Sequence, residues 1–317
     1  MSFYVADEIA SQPECWEQAV AMLEQVAELM PRPGERVAYV GCGTAWNIAS
    51  AIAALREDAG QGQSDGFVAS EFASRRDFDR VVVLSRSGDT LDVVALLEEL
   101  DGRFPTLAFV GVADSTIGAL CDAAICLPFA DEAGYAQTRF ATSVLALHRA
   151  WLGEDMAPVI AQASAALQER LSEEHVDAEQ ATFLGTGWTF WLAREAALKF
   201  RESSASWAEA YPVLEYRRGP ITVAQPGRMV WVFGEAPPGL GEQILDTGAI
   251  LVESTRDPQA ELVVTQRLAL ARAMKLGLNP DRPRYLRKLP AGIVDEALAS
   301  AMAAHRARTG DGSGHLG

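Results

Sequence analysis

The sequence predicts an α/β protein with two doubly wound parallel sheets, each flanked by helices. Short apolar runs alternate with helical patterns, the alternation restarts after a long helical stretch, and both halves open with a strand, a G-x-G turn and a helix. Uninterrupted apolar runs of this length are typical of strands buried on both faces. We expect one domain at residues 1–165 and a second at 166–317.

The first half contains the alternation in its clearest form. Helical patterns begin near Thr44, Thr90 and Ser115. Each follows an apolar run, which is the order of a parallel sheet with crossover helices. The predicted strands are Arg36–Val40, Val81–Leu84, Thr106–Val112 and Ala123–Leu127.

The second half repeats the opening of the first. A helical stretch from about Ala136 to Leu171, broken near Gly153–Pro158, separates the two halves. A strand at Ala181–Leu184 and a helix from about Trp188 then restart the pattern, and V-G-C-G-T-A-W (40–46) corresponds to L-G-T-G-W-T (184–189). Two such turns in register indicate an internal duplication. Further apolar runs follow at Arg228–Phe233, Leu240–Leu245 and Ala249–Glu253.

Composition narrows the class of protein. The chain has 317 residues, 49% of them hydrophobic and 22% charged, which is enough for two domains with cores of their own. A formal net charge of −16 argues against general binding of nucleic acid or anionic membrane, so an anionic ligand must be held locally. No segment has the length of a membrane span, and the first 30 residues lack the apolar core of an export signal. We expect a soluble protein.

The cysteines indicate a reducing compartment. Cys15, Cys42, Cys121 and Cys126 lack the spacing of metal ligands, and the last three lie in or beside apolar runs. Buried reduced thiols are the default for such positions, which favours the cytoplasm. We expect neither a metal nor a cofactor.

A hydroxyl-rich loop predicts a phosphate site. Ser85-Arg86-Ser87-Gly88-Asp89-Thr90 stands between a predicted strand and a helical pattern that starts at Leu91. Three hydroxyls around a glycine can join the free N–H groups of a helix N-terminus in holding an anion. The alternative is that Ser87 or Thr90 only caps the helix.

This loop should lie beside the first G-x-G turn. Open α/β sheets bind ligands at the carboxyl ends of their strands, and both the turn at 41–44 and the loop at 85–90 follow strands. A dinucleotide is disfavoured because Trp46 stands where the fingerprint needs its third glycine. In the second half Gly234–Gly239 has no hydroxyl, so we expect one phosphate site per chain.

Taken in order, these motifs resemble a known family. G-C-G-T (41–44), A-S-E-F (69–72) and L-S-R-S-G-D-T (84–90) are similar to the sugar isomerase (SIS) domain. From about residue 5 to 290 the chain resembles the double-SIS isomerase half of glucosamine-6-phosphate synthase, without its glutamine-hydrolysing domain. It therefore also resembles stand-alone phosphosugar isomerases, amino-sugar-phosphate deaminases and fructosamine-phosphate deglycases. The further motifs are E-I-A-S-Q-P-E (8–14), E-A-A-L-K-F-R-E (195–202), A-E-A-Y-P (208–212), E-Y-R-R-G-P (215–220) and R-Y-L-R-K (284–288).

The resemblance implies a set of substrate contacts. Ala45 stands where the family often has a serine, so one hydroxyl contact is expected to be lost. A sugar-contacting loop corresponds to residues 132–138, with Ala136 and Gln137 as its contacts. The implied phosphate-binding residues are Ser85, Arg86, Ser87 and Thr90, with Thr44 close by. Cys42 and Gly43 of the first G-x-G turn are further implied substrate-binding residues.

The resemblance also implies catalytic residues. Glu202 matches the carboxylate that moves a proton between C1 and C2 through an enediol, and Lys199 matches a lysine that stabilises the oxyanion. Lys288 matches the lysine that can form a Schiff base with a ketose. The alternatives from spacing alone are a surface Glu202–Lys199 pair three residues apart and solvated lysines at both positions.

Arg218 departs from the family pattern. E-x-x-H-G-P places a histidine there to open the sugar ring, whereas an arginine cannot shuttle a proton near neutral pH. Either the substrate is acyclic or opens through solvent, or Arg218 clamps a second anion, or catalysis is weakened. The four histidines fall outside every motif: His148, His175, His305 and His315.

Two functions are consistent with these residues. The first is a phosphosugar ketose/aldose isomerase, deaminase or deglycase that acts on an amino sugar 6-phosphate or related sugar 6-phosphate. The second is a non-catalytic sugar-phosphate sensor, but no helix-turn-helix or basic patch is evident and a sensor would not need Lys288. The expected partner is a small sugar phosphate, without nucleic acid or membrane. The resemblance further implies a homodimer in which the loop around Arg218 reaches the neighbour's site.

Overall fold

The computed structural model describes residues 3–73 and 75–286, which form two parallel sheets surrounded by helices. The strands are β1 (Val37–Gly41), β2 (Ser64–Val68), β3 (Arg80–Ser85), β4 (Thr106–Val110), β5 (Ala123–Cys126), β6 (Gln180–Gly185), β7 (Trp207–Pro212), β8 (Arg228–Val232) and β9 (Ile250–Glu253). The α-helices are α1 (Tyr4–Ala10), α2 (Gln12–Ala21), α3 (Leu23–Val26), α4 (Thr44–Asp58), α5 (Leu91–Leu100), α6 (Thr116–Leu120), α7 (Arg139–Trp151), α8 (Ala157–Gln168), α9 (Glu173–Asp177), α10 (Trp188–Ser204), α11 (Leu240–Asp246) and α12 (Pro258–Lys275).

The first sheet is doubly wound, as the sequence predicts. Its strand order is β2-β1-β3-β4-β5, with every pairing parallel. Alternate residues of each strand enter different cores: Tyr39 and Phe109 pack under α4 and α7, whereas Val83 and Val110 pack under α5 and α6. Helices on both faces explain why these strands are apolar without alternation.

The second sheet repeats this topology with one strand fewer. Its order is β7-β6-β8-β9, again with parallel pairings among the described residues. The matching turns support the predicted duplication, because Gly43 has φ 57° and ψ −123° while Gly187 has φ 55° and ψ −127°. The apolar run Leu240–Leu245 belongs to a helix, α11.

The sequence analysis did not predict strands β2 and β7, and both lie at sheet edges. β2 reads Ser-Asp-Gly-Phe-Val, and β7 alternates small, acidic and aromatic residues that are mostly half-buried. A strand that is paired on one side only is open to solvent and does not need a continuous apolar run.

A single apolar core joins the two halves. It contains residues from one face of each sheet, including Phe109 of β4 and Phe183 of β6. Helix α10 packs against α4 and α12, so the first helix of each sheet is in direct contact with the other. This contact fixes the residues of α10 relative to the loops of the first sheet.

The long helical stretch is two helices, α7 and α8, with a break at residues 152–156 as predicted. Residues 165 and 166, where we expect the domain boundary, lie inside α8, which packs against α12 and α2. The boundary stays a prediction. Within the described residues no helix is both long and apolar enough to cross a membrane.

Candidate active site

The first G-x-G turn brings backbone close to the start of α4. A Cβ on Gly41 would lie 2.5 Å from the backbone carbon of Ala45, and Gly43 adopts a positive φ. Only glycine meets both requirements without strain. Thr44 then begins the helix with its side chain buried.

The hydroxyl-rich loop leaves β3 as a compact turn. The hydroxyls of Ser85 and Thr90 lie 2.8 Å apart, and the Gly88 N–H donates to Ser85 Oγ at 3.1 Å. Gly88 has φ 69°, and a Cβ there would collide with Ser115 Oγ at 2.2 Å. Thr90 occupies the N-cap position of α5, but its side chain makes no capping hydrogen bond. The capping alternative is therefore wrong for Thr90.

The two loops are neighbours, as predicted. β1 pairs directly with β3, and the strand order 2-1-3-4-5 reverses direction between them. This is the switch point at which open α/β sheets bind ligands. Hydroxyls and backbone N–H groups at such a point suit an anion.

A buried charge network lies between α4 and α10. Lys199 Nζ donates to Thr44 Oγ1 at 2.9 Å and to Glu202 Oε2 at 2.5 Å, and it lies 3.3 Å from Glu195 Oε1. Thr44 Oγ1 donates to Glu195 Oε1 at 3.0 Å, and Asn47 Nδ2 donates to Glu195 Oε2 at 2.9 Å. The structure thus brings Thr44 together with Lys199 and Glu202.

The network keeps the lysine charged. Burial lowers the pKa of Lys199, but the negative charges of Glu195 and Glu202 outweigh burial and raise it to about 12. The Lys199 side chain is 2% exposed and that of Glu202 is 17% exposed. The surface-lysine alternative is therefore wrong for Lys199, although the predicted Glu202–Lys199 pair does form.

Glu195 and Asn47 are members of this network that the sequence analysis did not assign. The available signal was the spacing of Glu195 and Lys199, four residues apart on one helix face. Asn47 lies one turn after the G-x-G motif and had no signal of its own. Its role depends on the packing of α4 against α10.

Arg86 and Cys42 are placed differently from the hydroxyls. Arg86 is buried, with Nη1 3.6 Å from Asp131 Oδ1, so its side chain runs towards the loop that follows β5. The Cys42 side chain is half-buried, and burial raises the pKa of its thiol to about 11. Binding of phosphate by Arg86 and of substrate by Cys42 stay predictions.

The predicted sugar loop lies at the same edge of the first sheet. Ala136 is fully buried, so with the loop in this shape only Gln137 of the two predicted contacts has surface that a ligand could reach. Gln137 is half-buried, and its Oε1 has no hydrogen-bond partner. Their contacts with a sugar stay predictions.

Arg218 is not part of the network. Arg218 ends a 3₁₀ helix (Glu215–Arg218), and its side chain is 78% exposed with Nε 3.9 Å from Glu215 Oε1. Lys288 lies outside the described residues.

The cysteines are less buried than expected. All four are free, but only Cys15 is buried, and Cys42, Cys121 and Cys126 are half-buried because they stand at the ends of elements. Within the described ranges, no group of three or more His, Cys, Asp or Glu residues could hold a metal ion.

Comparison with known proteins identifies part of the chain. The model of the SIS domain family matches residues 32–152. The isomerizing glutamine–fructose-6-phosphate aminotransferase of Methanothermobacter thermautotrophicus is 25% identical over 322 residues, covering 86% of this chain and 53% of that protein. Its counterpart from Pyrobaculum aerophilum is 26% identical, covering 90% and 57%. The chain spans about half the length of these curated relatives.

Solved structures share the fold. Glucosamine-6-phosphate deaminase from Thermotoga maritima superposes with a TM-score of 0.77 at 22% identity, covering 90% of this chain and 98% of that one. Tagatose-6-phosphate ketose/aldose isomerase from Escherichia coli superposes with a TM-score of 0.75 at 19% identity, covering 92% and 98%.

Proposed function

Since residues 32–152 are a SIS domain and the chain resembles the isomerase half of glutamine–fructose-6-phosphate aminotransferases, we propose that the protein is a phosphosugar isomerase-type enzyme. Its substrate is an amino sugar 6-phosphate or a related sugar 6-phosphate, and its reaction is ketose/aldose isomerisation, deamination or deglycation. All three reactions share proton transfer between C1 and C2 of the open-chain sugar.

One observation carries this proposal. Thr44, in the turn beside the phosphate loop, and Glu202, the proposed base, bind the same ammonium group of Lys199. A ligand whose phosphate occupies the loop at residues 85–90 would therefore extend its sugar towards a charged network that is already assembled. Pure phosphate binding would not need a buried lysine between two carboxylates.

The network suits proton transfer at carbon. Glu202 Oε2 is held by Lys199, so the carboxylate is oriented, and its partial exposure leaves it accessible to a ligand. It can take a proton from one carbon of the C1–C2 pair and return it to the other. Lys199 stays protonated because of its raised pKa, so it stabilises a developing oxyanion and is not a nucleophile.

The Schiff-base step is assigned to Lys288 by resemblance, outside the described residues. Arg218 is exposed in the isolated chain, as the resemblance would require if its loop serves a neighbouring copy. Trp207 and Leu214 of the same domain are also largely exposed, and a second copy would cover such apolar side chains. The homodimer and the cytoplasmic location remain part of this proposal.

The test is a proton NMR time course with the purified protein. The candidate substrates are fructose 6-phosphate with ammonium, glucosamine 6-phosphate, and fructosyl-amino-acid 6-phosphates. The variants are Glu202→Gln, which removes the base, and Glu173→Gln, a matched change at an exposed position on α9. We expect turnover of one substrate in the wild type and in Glu173→Gln, and at least a hundredfold loss in Glu202→Gln.

The outcome separates the two functions. Turnover that survives in Glu202→Gln would contradict the assigned base. Line broadening of a sugar phosphate without turnover in any mixture would favour the sensor instead.

A further inference from the structure

Two buried carboxyl groups hold the loop at residues 131–138. Glu8 of α1 and Glu132 of the loop are each 3% exposed. Glu8 Oε1 accepts hydrogen bonds from the N–H groups of Ala133 at 2.6 Å and Gly134 at 2.9 Å. Helix α1 thereby fixes the start of the loop from outside the first sheet.

Glu132 fixes the other end of the loop. Its Oε1 accepts from the N–H and hydroxyl of Thr138 at 2.5 and 2.9 Å, and from the N–H of Arg139 at 2.9 Å. Ala136 and Gln137 lie between these two anchored ends. The shape of the segment that carries them therefore depends on Glu8 and Glu132.

Each carboxyl has a second oxygen that is buried and without a hydrogen-bond partner: Glu8 Oε2 and Glu132 Oε2. The loop backbone passes close to the first of these, since a Cβ at Gly134 would lie 2.6 Å from Glu8 Oε2. An ionised carboxylate with an unpaired buried oxygen is strongly disfavoured, and a proton on Glu132 would remove most of that penalty at this residue.

The cations that face Glu132 also have other partners, although the charge of Arg86 still lowers the pKa of Glu132. Arg86 lies against Asp131, the guanidinium of Arg139 donates to the Asp131 backbone oxygen and to Ser11 Oγ, and Lys199 binds the network on α10. Burial, together with the charge of Glu8, raises the pKa of Glu132 to about 7. The Glu132 carboxyl group therefore gains or loses its proton near neutral pH.

We propose that Glu132 carries a proton below neutral pH, and that Glu8 and Glu132 act as positioning residues that keep the loop at 131–138, with Gln137, in its ligand-binding shape. The ligand role of the loop rests on the proposed function, whereas the proton on Glu132 does not. When the pH rises through 7, the proton is lost, the two negative charges repel, and the loop loosens. Affinity for a sugar phosphate then falls.

The first test needs no ligand. An infrared pH titration of the full chain follows the C=O stretch of protonated carboxyl groups in the wild type, Glu132→Gln, Glu8→Gln and Glu173→Gln. We expect a band that titrates near pH 7 in the wild type and in Glu173→Gln, disappears in Glu132→Gln, and titrates at lower pH in Glu8→Gln. An unchanged band in Glu132→Gln, or loss of the wild-type band below pH 6, would show that Glu132 does not hold a proton near neutral pH.

The second test measures the positioning role. The Kd for fructose 6-phosphate is determined by calorimetry between pH 6 and 8.5 for the wild type, Glu132→Gln and Glu132→Ala. Glutamine keeps the Oε1 acceptor and mimics the protonated acid, so the Kd of Glu132→Gln should not rise above pH 7 as that of the wild type does. Alanine removes the acceptor, so Glu132→Ala should have a higher Kd at every pH. Titration of the ligand's own phosphate affects all three proteins equally and cancels when they are compared.

If Kd depends on pH in the same way in the wild type and in Glu132→Gln, the positioning role is overturned. This comparison does not need Glu132→Ala, so it remains decisive if that variant fails to fold. Failure of the proposed function looks different. In that case no sugar phosphate is turned over in the NMR mixtures, while the infrared midpoint near pH 7 is unchanged.

Discussion

Thr44 Oγ1 accepts a hydrogen bond from Lys199 Nζ at 2.9 Å although 155 residues separate them in the sequence. The threonine belongs to the first G-x-G turn, and the lysine belongs to the helix that follows the second. The duplicated turn and helix therefore serve different purposes in the two halves. One supplies a loop at the switch point, and the other supplies charged residues that pack against it.

Lys199→Met should destabilise the protein by about 3–5 kcal/mol, because it leaves Glu195 buried without its ammonium partner. Urea unfolding followed by circular dichroism measures the loss. The double variant Glu195→Gln/Lys199→Met should recover at least half of it, since it removes the unpaired charge. Lys275→Met is the control: its partner Asp177 is half-exposed, so the change should stay below about 1 kcal/mol. Equal losses for both lysines would contradict the buried network.

Gly88→Ala should destabilise the protein more than Gly102→Ala and should also weaken phosphate binding. Both glycines have φ near 70°, so both alanines carry backbone strain of about 1–2 kcal/mol. Only the Gly88 variant adds a collision, with Ser115 Oγ, and a Cβ at Gly102 meets nothing within 4 Å. Thermal unfolding and calorimetry with fructose 6-phosphate distinguish the two. Equal losses of stability and of phosphate affinity in the two variants would mean that the loop shifts to make room for the added Cβ.

Ser87→Ala should raise the Kd for fructose 6-phosphate about tenfold, because a hydrogen bond to a charged group is worth about 1.5–3 kcal/mol. Thr186→Ala also removes one hydroxyl, but from the second G-x-G turn. The loop after β8 at residues 234–239 has no hydroxyl, so this change should leave Kd unchanged. Calorimetry also gives the number of sites. A stoichiometry of two, or equal effects of the two variants, would disprove the single phosphate site.

His148 should make the fold sensitive to acid. Burial lowers the pKa of His148 to about 4, so between pH 6.5 and 4 the unfolded chain binds a proton that the folded chain does not. Stability is therefore lost as the pH falls, by roughly 2 kcal/mol between pH 7 and pH 5 from this residue. The loss in urea midpoint across this range should be smaller in His148→Gln than in the wild type. His175→Gln replaces a half-buried histidine and should reduce this loss in urea midpoint less than His148→Gln does. If His148→Gln and the wild type lose the same stability over this pH range, His148 is not the cause of the acid sensitivity.

Arg218→His should leave stability unchanged within about 0.5 kcal/mol, because the Arg218 side chain is 78% exposed. If a missing ring-opening group limits the enzyme, the variant should turn over a cyclic hexose phosphate faster than the wild type does. The same NMR assay measures both rates. Without such an increase, an acyclic substrate or a second anion held by Arg218 becomes the better explanation.

Buried strands and glycine turns were predictable because their causes are local. Uninterrupted apolar runs such as Val81–Leu84 follow from burial on both faces, and the turns at Gly43 and Gly88 follow from backbone angles that glycine adopts most readily. The edge strands β2 and β7 were missed because half-exposed strands carry no such run.

The candidate site divides in the same way. The sequence by itself determined that a hydroxyl loop and a G-x-G turn stand at the carboxyl ends of adjacent strands, because motif and strand are contiguous in the chain. Only the tertiary structure decided that Lys199 is buried between Glu195 and Glu202, and that Glu8 anchors a loop 125 residues away. Burial and charge pairing of this kind arise from the packing of α10 on α4 and of α1 on the loop, and no local pattern encodes those contacts.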